Sequence, residues 1–255
     1  MATMSDDPIA GRIARMAEFI RRSDKANPSS EAIHPKDAAT LILIDRSGAE
    51  PKVLLGKRHD RHVFMPGKFV FPGGGVDPSD EHMLAARELD KQAEMRLLQR
   101  FPEGSPARAR ALALAAIRET CEETGLLLGI RAEATHIPAG PWEAFTQHGV
   151  LPDLSAIHFV GRAITPPGRP RRFDARFFTV DASAIAHRID GVIGPDAELV
   201  ELVWMTLAEA RLLDMATVTG VMLEELDARI AAGLRHDLPV PFYRMLHRHF
   251  VRELL

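Results

Sequence analysis

Residues 105–126 constrain this chain more than any other stretch. Ser105 followed by Pro106 marks a helix start: the serine hydroxyl can cap free N–H groups, and proline at the first helical position forfeits no bond. The helix is predicted to run to about Thr124, where Gly125 can take the left-handed conformation that closes it. Its last turns read Arg118-Glu119-Thr120-Cys121-Glu122-Glu123-Thr124-Gly125-Leu126. At about 100° per residue, Glu119, Glu122 and Glu123 fall within an arc of about 100°. Three carboxylates so placed repel one another, and they do so at the helix end where the macrodipole is negative. One outcome is a solvated acidic face on which Arg118 and Glu122 pair four residues apart. The other is a hard divalent cation held by carboxylate oxygen, of the kind that also binds substrate phosphates.

Upstream, Phe71-Pro72-Gly73-Gly74-Gly75-Val76-Asp77 reads as a strand running into a glycine turn, open enough for an ion or ligand to approach main-chain oxygens. Glycine turn and glutamate helix together resemble the Nudix hydrolase signature, G-x5-E-x7-R-E-U-x-E-E-x-G-U with U aliphatic. Gly74 takes the first glycine position, and Arg118, Glu119, Glu122, Glu123, Gly125 and Leu126 take the second half. Asp80, or Glu81 in a shifted register, stands where the pattern has its first glutamate, and Thr120 where it has an aliphatic residue. Residues 81–117, a stretch of 37, occupy a gap for which the pattern allows seven. Such an insertion resembles the Nudix subgroup that includes peroxisomal coenzyme A diphosphatases and bacterial relatives.

The fold expected from this resemblance is α/β, a Nudix-type α/β/α sandwich with a mixed sheet. A helical insertion would interrupt the Nudix box, and a helical extension would follow the domain. The division is 1–36 for an N-terminal helix and linker, 37–215 for the hydrolase domain with its insertion at about 81–106, and 216–255 for the extension. Local patterns supply the elements. Asp7-Pro8 starts the first helix and Asn27-Pro28-Ser29-Ser30 ends it. Ala38–Asp45 and Val53–Lys57 form a hairpin about Ser47-Gly48, and Phe69-Val70-Phe71 feeds the glycine turn. Residues 81–100 contain neither glycine nor proline and are predicted helical. Strands are predicted over 156–163, 176–180 and 201–205, with Thr206 capping a helix. Most of 207–255 is predicted helical, with Val218, Met222, Leu226 and Ile230 on its buried face.

A formal net charge of -3 gives no electrostatic case for nucleic acid as a partner. No apolar run reaches the ~18 residues of a membrane span. Residues 1–22 lack a secretory apolar core and read as part of the mature protein. The single cysteine, Cys121, rules out an intramolecular disulfide and suits a reducing, cytoplasmic setting. A homodimer is compatible with the sequence.

The resemblance implies Mg²⁺ or Mn²⁺ held by Glu119, Glu122, Glu123 and a glycine-loop carbonyl, that of Gly74. Glu119 either binds the cation or helps deprotonate the attacking water, and Arg118 orients a neighbouring glutamate. Glu198 and Glu201 are candidates for the catalytic base. Arg58, Arg61, Arg172 and Arg176 are candidates for phosphate contacts, with Arg171 beside them on the late hairpin. The implied substrate is a small molecule in which a nucleoside diphosphate is linked to another moiety. Gly67-x3-Phe71-Pro72-Gly73-Gly74 partly matches a pattern of coenzyme A diphosphatases, although Val63 replaces its arginine; coenzyme A or acyl-coenzyme A is therefore favoured. ADP-ribose, nucleotide sugars and dinucleoside polyphosphates are the alternatives, and an inactive ligand-sensing module is a third.

Overall fold

The computed structural model describes residues 8–23, 33–61, 65–132, 140–247 and 249–255. Asp7, the 27–30 break, and Val63 lie outside the described residues. In chain order the elements are α1 (Pro8–Ser23), β1 (Lys36–Asp45), β2 (Lys52–Arg58), β3 (Phe69–Val70), β4 (Gly73–Gly75), α2 (Lys91–Leu98) and α3 (Pro106–Thr124). There follow β5 (Leu126–Leu128), β6 (Ile130–Arg131), α4 (Glu143–Gln147), β7 (Val150–Leu151), β8 (His158–Ile164), β9 (Phe173–Asp181) and β10 (Ile185–Arg188). The chain closes with β11 (Leu199–Thr206), α5 (Leu207–Ala210), α6 (Thr217–Ala231), β12 (Pro241–Leu246) and β13 (His249–Leu254).

Among the described residues, nine strands form one mixed sheet in the order β11-β2-β1-β9-β8-β12-β13, with β3 beside β2 and β4 beside β1. β1 and β9 run parallel; β1 meets β2 and β4 antiparallel. β1 is apolar on both faces because the sheet is covered on both sides. Leu41 and Leu43 point into a core shared with Leu112, Ala113 and Ala116 of α3. Ile42 and Ile44 point into a second core with Met222 and Leu226 of α6 and Met16 of α1. This is the expected α/β sandwich, and the α3 layer sets the glutamates beside the glycine strand.

α3 begins and ends where local chemistry requires. Ser105 Oγ accepts from the Arg108 amide at 3.2 Å, and Gly125 has φ of 73° with its N–H donating to Cys121 O at 2.8 Å. A Cβ at Gly125 would run into the Ile189 carbonyl.

Two helical expectations are corrected. Within 81–100 only Lys91–Leu98 is an α-helix. Residues 82–90 lie against the 152–154 segment instead: the Ala86 amide donates to Pro152 O at 2.8 Å, and that of Leu154 to Arg87 O at 3.0 Å. Met83 and Leu89 are buried by this arrangement, so tertiary pairing and burial outweigh local helix propensity. The extension is not helical throughout, since β12 and β13 form a hairpin that continues the main sheet through β8. Pro239 and Pro241 forbid a continuing helix, and Phe242, Tyr243 and Phe250 are aromatic residues that suit a packed sheet. Val218 and Ile230 are only partly buried, whereas Met222 and Leu226 are fully so. Among the described residues no helix is long and apolar enough to cross a membrane.

The sheet also carries a titratable pair. His158 of β8 stacks on His236 with ring centroids 4.0 Å apart, and neither Nδ1 has a hydrogen-bond partner among the described residues. Burial first, then His236, Arg229 and Arg46, pushes His158 down to about 4, against a weaker opposing pull from Asp90. Below about pH 6.5 the unfolded chain binds a proton that the folded protein refuses, so this stability is present above that pH and lost on descent toward pH 4. His158→Phe is expected to flatten the fall in melting temperature between pH 7 and pH 4.5, by the equivalent of roughly 2–3 kcal/mol. An unchanged slope in calorimetry would show that His158 titrates normally.

Candidate active site

Arg118 is the hub of the site. It is 4% exposed, and a guanidinium so buried is tolerable only when its donors are satisfied. Nε and Nη2 form a bidentate pair with Asp80, at 2.8 and 3.1 Å. Nη2 also donates to Gly75 O at 2.7 Å, and Nη1 bridges Glu119 Oε1 at 2.9 Å and Glu122 Oε2 at 3.1 Å. Asp80 is fully buried and accepts in addition from the Asp77 amide at 2.8 Å and Trp142 Nε1 at 3.2 Å. One side chain thus fastens the 3-10 turn Pro78–Glu81, the glycine strand and the acidic turn of α3 together.

β4 presents alternating faces. Leu41 donates to Pro72 O and Val76 to Asp37 O, which makes Ala39–Gly74 the hydrogen-bonded pair between them. The main-chain groups of Gly73 and Gly75 therefore turn toward α3. The Gly73 amide donates to Glu123 Oε2 at 3.1 Å, as that geometry requires. A Cβ at Gly74 would overlap the Glu119 carboxyl group, so glycine is needed for the close approach of strand and helix.

These groups open onto a cleft of about 660 Å³. Glu119, Glu123, Glu198, Arg58 and Gly73–Gly75 line it. Glu198 Oε1 lies 2.5 Å from Arg58 Nη2. Burial pushes the Glu123 carboxyl well above the usual range, and the nearby Glu198 charge adds to that. Burial likewise raises Glu119, opposed by Arg118. At the glycine-strand end of the cleft, three carboxyl groups thus gather around one lining arginine, Arg58.

No family model matches the chain. Its fold superposes on the crystal structure of a Nudix hydrolase from Alicyclobacillus acidocaldarius with a TM-score of 0.57 and 30% identity, covering 76% of this chain and 92% of that one. The chain belongs to the Nudix hydrolase family. Two curated relatives accord with this. An uncharacterized Nudix hydrolase, NudL, of Citrobacter koseri is 35% identical over 80 residues, 31% of this chain and 41% of that protein. The acyl-coenzyme A diphosphatase NUDT19 of Gallus gallus is 28% identical over 57% of this chain and 54% of that protein. The chain thus spans about half the length of these curated relatives.

The Nudix residues are brought together unevenly. Glu119 and Glu123 face the cleft with Glu198, whereas Glu201 sits exposed on β11. Glu122 is not among the lining residues; its carboxylate is held by the Arg118 nitrogen that also holds Glu119. The candidate main-chain oxygen moves from Gly74, whose carbonyl belongs to the ladder with β1, to Gly73. Arg58 lines the cleft; Arg61 is exposed and not part of its lining. Arg176 is corrected as a substrate contact: it is fully buried, bonded to Asp37 at 2.6 Å and stacked over Phe101 at 4.6 Å. Arg172 is turned away too, donating to Thr165 O at 3.1 Å and Ile33 O at 2.5 Å. Burial pushes the Cys121 thiol up to about 12, which leaves it protonated and inert.

Arg171, which the sequence set beside the phosphate-contact candidates, lines the cleft, and so does Arg169, which the sequence reading passed over as a turn residue. The period-two register of Phe173, Ala175 and Phe177 in β9, all lining residues, is the signal that marks which face of that strand continues into the cleft.

Among the described residues no three His, Cys, Asp or Glu side chains close on one point. The donor chemistry nevertheless fits a hard divalent cation: carboxylates at one end of the cleft, a main chain turned toward them, and acidic groups whose burial a positive charge would relieve. Asp80→Asn tests the hub. It removes the charge opposite buried Arg118 and is expected to cost about 3 kcal/mol in urea unfolding. A loss below about 1 kcal/mol would mean that the pair does not hold the two halves of the motif together.

Proposed function

We propose that this Nudix protein hydrolyses the diphosphate linkage of a nucleoside diphosphate joined to another moiety, and that coenzyme A or an acyl-coenzyme A is the favoured substrate. The carrying observation is the convergence of Glu119, Glu123, Glu198 and the glycine strand in one cleft, although the insertion separates the two halves of the motif in sequence. The substrate preference is supported by the acyl-coenzyme A diphosphatases of Gallus gallus and Xenopus laevis among the chain's relatives.

Glu119, Glu122, Glu123 and the Gly73 carbonyl would hold a divalent cation, with Mg²⁺ and Mn²⁺ the species suited to oxygen donors. Such a cation supplies positive charge against the diphosphate and acidifies water. Arg118 keeps Glu119 and Glu122 in place by charge-assisted bonds and does not reach the substrate. Glu198, tied to Arg58 through Oε1, accepts the proton of the attacking water on its second oxygen. Water oxygen bonds to one phosphorus, the bridging P–O bond breaks, and the departing phosphate carries the electron pair away. Arg58 supplies positive charge beside the diphosphate at the carboxylate-rich end of the cleft.

With Mg²⁺ or Mn²⁺, coenzyme A is expected to yield 3′,5′-ADP and phosphopantetheine, resolved by liquid chromatography, and chelation should abolish the reaction. Turnover of ADP-ribose or a dinucleoside polyphosphate in its place would overturn the substrate while keeping the chemistry. Glu123→Gln is expected to lower kcat by about 10²-fold or more without lowering the melting temperature, because burial already disfavours that charge. Full activity in this variant would remove Glu123 from the mechanism.

A further inference from the structure

The charges lining the cleft are segregated. Its carboxylates, Glu119, Glu123 and Glu198, all stand with Arg58 at the glycine-strand end. Arg169 and Arg171 stand on the turn between β8 and β9. The rest of the lining is largely apolar, with Phe173, Ala175 and Phe177 of β9, Met16 of α1, Val218 of α6 and Phe250 of β13 beside Thr217 and Thr219. Strand register gives the span: Gly74 is level with Ala39, and Phe173 with Lys36, a separation of three residues or roughly 10 Å along β1. The arginines lie beyond Phe173.

The turn that carries them is braced. Pro166, Pro167 and Pro170 restrict its backbone. Thr165 and Phe173 close its neck, the Thr165 amide donating to Phe173 O at 2.9 Å and the Phe173 amide to Thr165 Oγ1 at 3.1 Å. Arg172 is spent on the brace through Thr165 O and Ile33 O. Arg169 and Arg171, on the cleft side, are presented from this restrained turn, which lowers the ordering cost of gripping a ligand.

We infer that Arg169 and Arg171 determine specificity by binding a second anionic group, a phosphate or a carboxylate, carried by the substrate beyond an apolar or aromatic body and remote from the diphosphate. This rests on the hydrolase reading above and extends it to the far end of the same cleft. Within coenzyme A compounds such a group has two sources, the 3′-phosphate of the nucleotide or a carboxylate ending the acyl arm.

Two matched pairs separate those sources: coenzyme A against 3′-dephospho-coenzyme A, and succinyl- against acetyl-coenzyme A. The wild-type protein and the Arg169→Ala/Arg171→Ala variant are assayed on all four with Mg²⁺, and the affinities are measured in parallel by calorimetry. In the wild type, kcat/KM and affinity should favour the more anionic member of one pair by about tenfold or more, and in the variant that ratio should fall to about twofold or less. The responding pair identifies the anionic group. Equal ratios in wild type and variant for both pairs would overturn the inference. No turnover, together with a variant-sensitive affinity ratio, would instead overturn coenzyme A hydrolysis and uphold the clamp; neither turnover nor binding would overturn both.

Discussion

A single buried guanidinium organises the Nudix motif of this protein. Arg118 is bonded to Asp80, to the Gly75 carbonyl and to two glutamates of its own helix. Desolvating such a group is expensive, and breaking one partner of a buried pair costs more than a surface ion pair ever returns. The contact therefore does what sequence adjacency would do in an uninterrupted motif. The residues before α3, 81–105, can leave and return by any route, provided that Asp80 and Arg118 meet. Buried Met83 and Leu89, and the α2 helix, show that this excursion is packed rather than looped out.

The same assembly places charge where a fold alone would avoid it. Glu119 and Glu123 lie in the last turns of α3, where the helix dipole is unfavourable to anions, and burial raises both carboxyls. Arg118 offsets this for Glu119, whereas Glu123 has the Gly73 amide but faces the Glu198 charge. A stretch optimised for stability alone would carry neutral residues at these positions. The unfavourable electrostatics are thus concentrated on the face that opens to the cleft, as expected for a site completed by a cation.

How much of this could be read beforehand depended on the range of the deciding interaction. The limits of α3 were legible because Ser105, Pro106 and Gly125 act within a few residues of themselves. The β1–β2 hairpin was legible because both strands are dense in apolar residues about a short turn. Residues 82–90 were not, since their extended course is fixed by partners at 152–154, more than sixty positions away. The β12–β13 hairpin was obscured for a related reason: its pairing with β8 supplies the burial that makes strands of it. At the site, residue types were readable but directions were not. Arg176 and Arg171 look alike in sequence, yet one is sealed beneath Phe101 and the other lines the cleft. The choice between the Gly73 and Gly74 carbonyls needed the hydrogen-bond register of β4 against β1.

The apolar part of the cleft comes from elements outside the motif, and a second buried charge cluster sets them. Glu225 of α6 is 3% exposed and receives Arg252 of β13, at 2.8 and 3.0 Å, and the Tyr243 hydroxyl of β12. Arg12 of α1 pairs with the same carboxylate at 3.0 Å. Glu225 thereby fixes α1 and the C-terminal hairpin relative to α6, and these elements carry Met16, Phe250 and Val218 to the cleft wall. Arg118 and Glu225 divide the labour accordingly. On the proposed reading, the first aligns the groups that would act on the diphosphate, and the second shapes the surface that would meet the rest of the substrate. Because the two networks share no residue, changes around Glu225 would reshape the apolar wall of the cleft while leaving the Arg118 network intact.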